Sequence, residues 1–190
     1  MNQFVALLRG INVGGKNLIK MTDLAACVQS AGFTNVRTYI QSGNVIFNAD
    51  ETDQSRLAGL LEATLAKAFH YEASVVLRSD HEMRDVVVHA PEGFGSDPAS
   101  YRYDVIFLKE PLTSEEAMQS VSTKEGVDQA FAGKDVLYFS RLISKATQSR
   151  LTRVISMPIY QSMTIRNWNT TIKLIEMMDA IGRGISVPEK

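Results

Sequence analysis

Three short segments of this 190-residue chain concentrate the side chains that bind or transform ligands. The first is Arg9-Gly10-Ile11-Asn12-Val13-Gly14-Gly15-Lys16-Asn17, directly after an apolar run. Gly10 to Lys16 fits the spacing G-x-x-x-x-G-K of a phosphate-cradling loop, in which backbone N–H groups turn toward phosphate oxygens and a lysine neutralises their charge. The next residue is Asn17, where that chemistry needs a Ser or Thr hydroxyl for magnesium, and no later strand ends in the aspartate that completes the metal site. A nucleotide hydrolase of this type is therefore disfavoured. Two readings stay open: an anion-binding loop using Arg9, Asn12, Gly14, Gly15, Lys16 and Asn17, or a loop whose glycines only supply positive φ.

The second segment, Arg37-Thr38-Tyr39-Ile40-Gln41-Ser42-Gly43-Asn44, has the composition of a turn. Gln41, Ser42 and Asn44 also form a dense hydrogen-bonding set at its tip, and Arg37 and Tyr39 share one strand face. That pair can offer charge and stacking to a base or phosphate. The third segment is Thr164-Ile165-Arg166-Asn167-Trp168-Asn169-Thr170-Thr171. Asn167, Asn169 or Thr170 can cap the helix that follows, and a tryptophan is most often core. On a functional reading Arg166 grips an oxyanion in bidentate fashion beside the backbone N–H groups of the helix start, with Asn167, Trp168 and Asn169 around it.

Metal and nucleophile signatures are missing from the sequence. His70, His81 and His89 have no ligand spacing, and neither a nucleophile elbow nor an H-E-x-x-H appears. No metal and no cofactor is expected. The single cysteine, Cys27, excludes an internal disulfide, falls on an apolar helix face, and suits a reducing cytoplasm. The longest apolar runs are far below the ~20 residues of a membrane span, and MNQFVALLRG lacks the basic start and cleavage site of a signal peptide, so no membrane is expected. Hydrophobic residues at 45% and charged ones at 22% describe an ordinary globular chain.

The net charge of −1 conceals segregation. Residues 1–48 have four basic side chains against one acidic, and residues 141–183 have seven against two. Residues 49–140 have eight basic against seventeen acidic. If the two ends of the chain meet, they make a cationic face that concentrates anions; the alternative is solvated surface charge.

The elements that must position these loops follow from periodicity. Phe4–Leu8 reads as a buried strand, 23–31 as a helix capped by Thr22 and closed by Gly32, and 35–40 with 44–48 as a hairpin. A helix over 53–69 and a strand over 73–77 complete the order βαββαβ. A connecting helix (80–89) and a turn-rich stretch (91–100) follow. A second series then begins: a strand at 104–108, a helix over 113–121 capped by Thr113 or Ser114, a hairpin of 127–131 and 136–139, a helix within 146–157 and a strand at 162–166. Asn44-Val45-Ile46-Phe47 matches Asp135-Val136-Leu137-Tyr138 at a spacing of 91. The expected fold is α+β, a tandem duplication of a ferredoxin-like βαββαβ unit, with a C-terminal helix over 168–181. The expected division is 1–79, a connector at 80–101, and 102–190.

LLRGINVGGKN with Met21 and Leu24, then GFTNVRTYIQSGNVIF, then TIRNWNT ahead of Lys173 and Leu174, resemble the bacterial family named domain of unknown function 1697. The resemblance implies a small cytosolic protein of mixed α and β structure with internal duplication, and implies no activity, substrate or catalytic residue. Members tend to have a proline before the Met21 position, where this chain has Lys20.

The function expected from the residues is binding of an anionic ligand, a nucleic acid or a nucleotide-like metabolite, in a cationic cleft of 9–20, 37–44 and 164–173. The alternatives are an enzyme acting on a phosphorylated small molecule, with Lys16 and Arg166 as clamps and Ser42 or Tyr39 near the reacting group, and an interaction scaffold without a ligand site. No catalytic residue and no oligomeric state is assigned.

Overall fold

The computed structural model of the chain describes residues 1–12, 18–70 and 72–184. The chain forms two units, Met1–Met83 with the segment from Lys173 onward, and Arg84–Ile172. The first contains β1 (Asn2–Arg9), α1 (Met21–Ser30), β2 (Thr34–Tyr39), β3 (Asn44–Ala49), α2 (Gln54–Phe69) and β4 (Ser74–Ser79). Its sheet has the order β2-β3-β1-β4, antiparallel throughout. The order is that of a split βαβ unit. A helix, α3 (Asp80–Val88), leads out of it.

Strand alternation sends Phe4, Ala6 and Leu8 into a core with Leu24 and Val28 of α1 and with Leu57, Leu61 and Leu65 of α2, which recur at one-turn spacing. Phe4 and Phe33 both pack on Phe47, at centroid distances of 5.8 and 4.5 Å. Asp53 caps α2, its carboxylate accepting the Arg56 N–H at 3.1 Å. α1 begins differently from the expectation: Lys20 precedes it without a side-chain cap, and Thr22 lies inside the helix with its hydroxyl donating to Asp23 at 3.4 Å. Gly32 ends the helix at φ +92°, its N–H donating to the Gln29 carbonyl.

The second unit repeats the plan with β5 (Tyr101–Leu108), α4 (Ser114–Ser120), β6 (Asp128–Ala132), β7 (Val136–Leu142), α5 (Leu151–Ile155) and β8 (Met163–Asn167). Its sheet order, β6-β7-β5-β8, is the order of the first. Thr113 and Glu116 cap α4 reciprocally, each side chain taking the other's backbone N–H. The helix expected within 146–157 is reduced to α5, preceded by a 3₁₀ segment over Ile143–Gln148. The reason is polar: the buried Asp128 carboxylate accepts the N–H groups of Lys124 (3.1 Å) and Arg150 (2.9 Å), which holds the chain in a turn until Leu151. The last helix, α6 (Trp168–Gly182), starts in the second unit and continues into the first.

Hydrogen bonding fixes how the two copies correspond. Leu8 N–H donates to Gly43 O at 2.8 Å, and Leu108 N–H donates to Asp135 O at 3.1 Å. Phe4 pairs with Phe47, and Asp104 with Phe139. Gly43 therefore corresponds to Asp135 and Phe47 to Phe139, a spacing of 92, one residue from the 91 read in the sequence. The correction matters because a one-residue slip turns every side chain to the opposite face. Phe47 and Phe139 are the pair that faces the helices, and Tyr138 points the other way.

Candidate functional site

The first two segments of the sequence meet within the first unit. Asn12, at φ +53°, donates from Nδ2 to the carbonyls of Ile19 and Gln41, both at 3.0 Å, and its Oδ1 accepts the Ile19 N–H at 2.7 Å. This amide fastens the two ends of the glycine loop and ties them to the hairpin. Gly14, Gly15, Lys16 and Asn17 lie outside the described residues. Asn44 is buried, donating to Tyr39 O at 2.9 Å and Ser42 Oγ at 3.1 Å. Arg37 and Tyr39 are half-buried, and the Arg37 guanidinium donates to Val36 O at 2.9 Å. Arg9 closes β1 opposite Ser74. Gly43, at φ +75°, sits so close to Ile11 and Leu8 that a Cβ there would lie 2.6 and 2.9 Å from their side chains. Asn12, Asn44 and Gly43 thus shape these loops from within, and Gln41 and Ser42 present the exposed polar tip.

The third segment divides. Arg166 shares a strand face with Thr164 and is buried; its guanidinium donates to Thr164 Oγ1 (2.8 Å) and Ile165 O (2.9 Å). Burial pulls it down to about 10, so it stays charged at neutral pH. Asn167 faces the other side, donating to Tyr103 O at 3.0 Å and capping α6 by accepting the Asn169 N–H at 3.0 Å.

Asn167, Trp168 and Asn169 line a cavity of about 380 Å³ in the second unit, together with Tyr101, Arg102, Tyr103 and Arg141. Its rim includes Gly95 and Pro98 of the turn-rich stretch, which belongs to this unit rather than serving only as a linker. Phe94 from the same stretch packs edge-on against Trp168 at 5.2 Å, Tyr103 at 4.9 Å and Tyr138 at 5.2 Å. Gly95 has φ +86°, and a side chain there would collide with the indole of Trp168. The indole is fixed by this seat.

Behind the cavity wall lies Asp104, with 5% of its side chain exposed. Arg141 Nη2 is 3.2 Å from its Oδ2, and Arg102 Nε is 4.0 Å from its Oδ1. Burial pushes the Asp104 carboxyl up from the ordinary carboxylate value, opposed by Arg141, Arg102 and the Asn167 amide. Arg141 is 20% exposed and Arg102 58% exposed, so both guanidinia still face the cavity with donors to spare. Two cations share one carboxylate, beside an aromatic wall and the start of a 15-residue helix. That combination suits an anion attached to a planar group.

Of the residues that line or back this cavity, the sequence singles out Asn167, Trp168 and Asn169 and not Tyr101, Arg102, Asp104 or Arg141. One signal was available: Arg102 and Asp104 alternate at the head of the apolar run Val105–Leu108, two charges on one face of a central strand. Among the described residues no group of three His, Cys, Asp or Glu side chains converges as a metal site, and no helix is long and apolar enough to cross a membrane.

Two βαββαβ copies of one strand order define an α+β protein made by duplication of a ferredoxin-like unit. The chain belongs to the family described as protein of unknown function DUF1697, which it matches over residues 1–138. That span includes Tyr101–Asp104 and ends before Arg141, Asn167 and Trp168. Among solved structures the chain is similar to the conserved bacterial protein SP0830 from Streptococcus pneumoniae, at 26% identity and a TM-score of 0.82, over 94% of this chain and 99% of that one. No curated protein matches it.

Proposed function

We propose that this protein binds an anionic ligand, a nucleotide-like metabolite or a nucleic acid, in the cavity of its second unit. One observation carries the reading. In the sheet register, Asp104 and Arg141 stand where the first unit has Phe4 and Ala49. Exchanging a buried ion pair for well-packed apolar groups is typically neutral or stabilising by about 1–4 kcal/mol. Fold stability therefore supplies no reason for a charged cluster at a position the sister unit fills with phenylalanine, and a ligand does. Local rules are broken most often at functional sites. With a single cysteine in the chain, we assign the protein to a reducing cytoplasm.

Trp168 is unique in the chain and half-buried in the cavity wall, so its fluorescence reports occupancy. Titration with ATP or a single-stranded oligonucleotide is expected to give a saturable change that fades with salt. Arg141→Ala is expected to weaken it at least about tenfold, the ordinary effect of losing one hydrogen bond to a charged group. No response to ATP, the oligonucleotide or a nucleoside monophosphate, with the protein folded, returns the molecule to the scaffold reading. The companion variant Lys16→Ala restricts the site to the second unit if binding is unchanged and extends it to the glycine loop if binding weakens.

A second reading, an enzyme on a phosphorylated small molecule, draws on Asp104, since a buried carboxyl held above its usual range beside a cavity is a proton donor in waiting. Turnover of the bound ligand that disappears in Asp104→Asn, with binding retained, is the outcome that selects it.

A further inference from the structure

Resting on the reading of the cavity as an anion site, we propose that its ligand is a small molecule with one planar ring system and one phosphate or carboxylate group, and that Asp104 is the residue that limits the charge it accepts. Size gives the first argument. About 380 Å³ is near the lower end of the roughly 300–1,000 Å³ typical of ligand pockets, a size that suits one ring system with its anionic group better than a run of nucleotides. Single-stranded nucleic acid is usually tracked by an open groove several nucleotides long with successive stacking platforms. Here the aromatic side chains around Trp168 are taken up with one another: Phe94 packs edge-on against the indole at 5.2 Å and against Tyr103 at 4.9 Å. Stacking is offered by the indole that Gly95 and Phe94 hold in place, with Tyr101 as the other ring of the lining outside the Phe94 cluster.

Charge gives the second argument. Arg102 and Arg141 carry two positive charges and Asp104 removes one, so the cluster has one net positive charge to offer. Arg141 lies 3.2 Å from the Asp104 carboxylate and remains partly exposed, so its charge is offered to the cavity with the carboxylate's charge beside it. A carboxylate meets that balance, and a phosphate monoester, at about −1.5 to −2 near pH 7, lies far closer to it than a triphosphate does. A triphosphate brings excess negative charge next to the buried carboxylate, and like charges at this range are repelled. Asp104 does not touch the ligand in this arrangement; it is a specificity-determining residue acting through Arg141.

The experiment is a set of Trp168 fluorescence titrations of the full chain at low salt with AMP, ATP, inorganic phosphate, benzoate and an eight-nucleotide single strand, on wild type and Asp104→Asn. Expected in the wild type is AMP binding about tenfold or more tighter than phosphate, because a stacked ring adds to the anion contact, with ATP no tighter than AMP. Benzoate binding separates a carboxylate source from a phosphate ester. Asp104→Asn is expected to raise ATP affinity several-fold relative to AMP, a change in ratio that a merely structural defect does not produce. ATP or the oligonucleotide binding more tightly than AMP in the wild type overturns the proposal, as does an Asp104→Asn ratio equal to that of wild type. If phosphate binds and AMP binds no better, the ring is wrong while the anion site stands. If none of the five is bound, the anion reading itself has failed.

Discussion

At the head of its central strand the first unit buries Phe4 against Phe47, and at the corresponding place the second buries Asp104 against Arg141. The neighbours differ in the same sense: Asn2 and Ala49 pair in one register, Arg102 and Arg141 in the other, and Ser79 is matched by Asn167. Both sheets keep the same order and both cores remain apolar around Leu8 and Leu108. A duplicated fold can keep one copy apolar at the head of its central strand while the other departs from that pattern at the same place. The cost of that departure is bounded, because a buried carboxylate with a cation 3.2 Å away is tolerated where a lone buried charge is not.

The largest effect expected from this contrast is in the first unit. Phe4→Asp places a carboxylate opposite Phe47 and beside Ala49, with no cation in that register, and is expected to destabilise by roughly 3–5 kcal/mol. Chemical denaturation measures it; a loss under 1 kcal/mol would mean the two positions are not equivalent environments. The converse double variant, Asp104→Phe with Arg141→Ala, installs the first unit's residues in the second. Its stability is expected to stay level or rise by up to about 4 kcal/mol while anion binding is lost. A variant that unfolds instead, in thermal unfolding followed by circular dichroism, would make the pair structural.

How much of this the sequence conveys depends on whether the decisive contact is local. Helix spacing in Leu57, Leu61 and Leu65, the Thr113–Glu116 cap and the run Val105–Leu108 are short-range signals, and they are enough for the duplicated βαββαβ order. Thr22 misleads because a good capping residue stands two positions past Lys20, where the helix already begins. The site is not local. Arg102 meets Arg141, and Asp104 meets Asn167, only through strand pairing, whose register the match between the two hairpins does not specify. Arg166 looks like the natural clamp in the sequence, yet alternation puts it on the face away from Asn167 and among its own strand's acceptors. Asn12 looks like a ligand group and serves as the fastener of its loop.

The two hairpins sharpen the comparison at intermediate scale. Gly43 and Asp135 occupy the same position and both have positive φ, +75° and +58°. Gly43 is confined by Ile11 and Leu8, whereas the first residue of β7 follows an aspartate that tolerates the left-handed region. Gly43→Ala is expected to cost about 2 kcal/mol from strain plus displacement of Ile11, and Asp135→Gly to stay within about 0.5 kcal/mol. A Gly43→Ala cost of no more than about 1 kcal/mol, what a side chain in the left-handed region costs by itself, would remove packing against Ile11 from the explanation.

The smallest effect tests charge in the two units with opposite sign. Glu82, in the first unit, is pushed up by burial, but hydrogen bonds from the Ser79 backbone and hydroxyl and from Gln54, each at 2.7 Å, hold its carboxyl below the usual 4.5. A depressed carboxyl adds stability above its unfolded value, and that stability is lost as pH falls through the folded value. Asp104 is raised above 3.8, chiefly by burial, so its sign is reversed: its favourable contribution is complete below the unfolded value and disappears as pH rises through the folded one. Denaturation across about pH 3 to 7 should then show Glu82→Gln flattening the acid-side loss of stability and Asp104→Asn flattening a decline toward neutral pH. If Asp104→Asn instead steepens that decline, Arg141 holds the carboxyl more strongly than burial expels it. The second unit's cluster would then be a stabilising ion pair, and the case for a ligand built on its cost would fall with it.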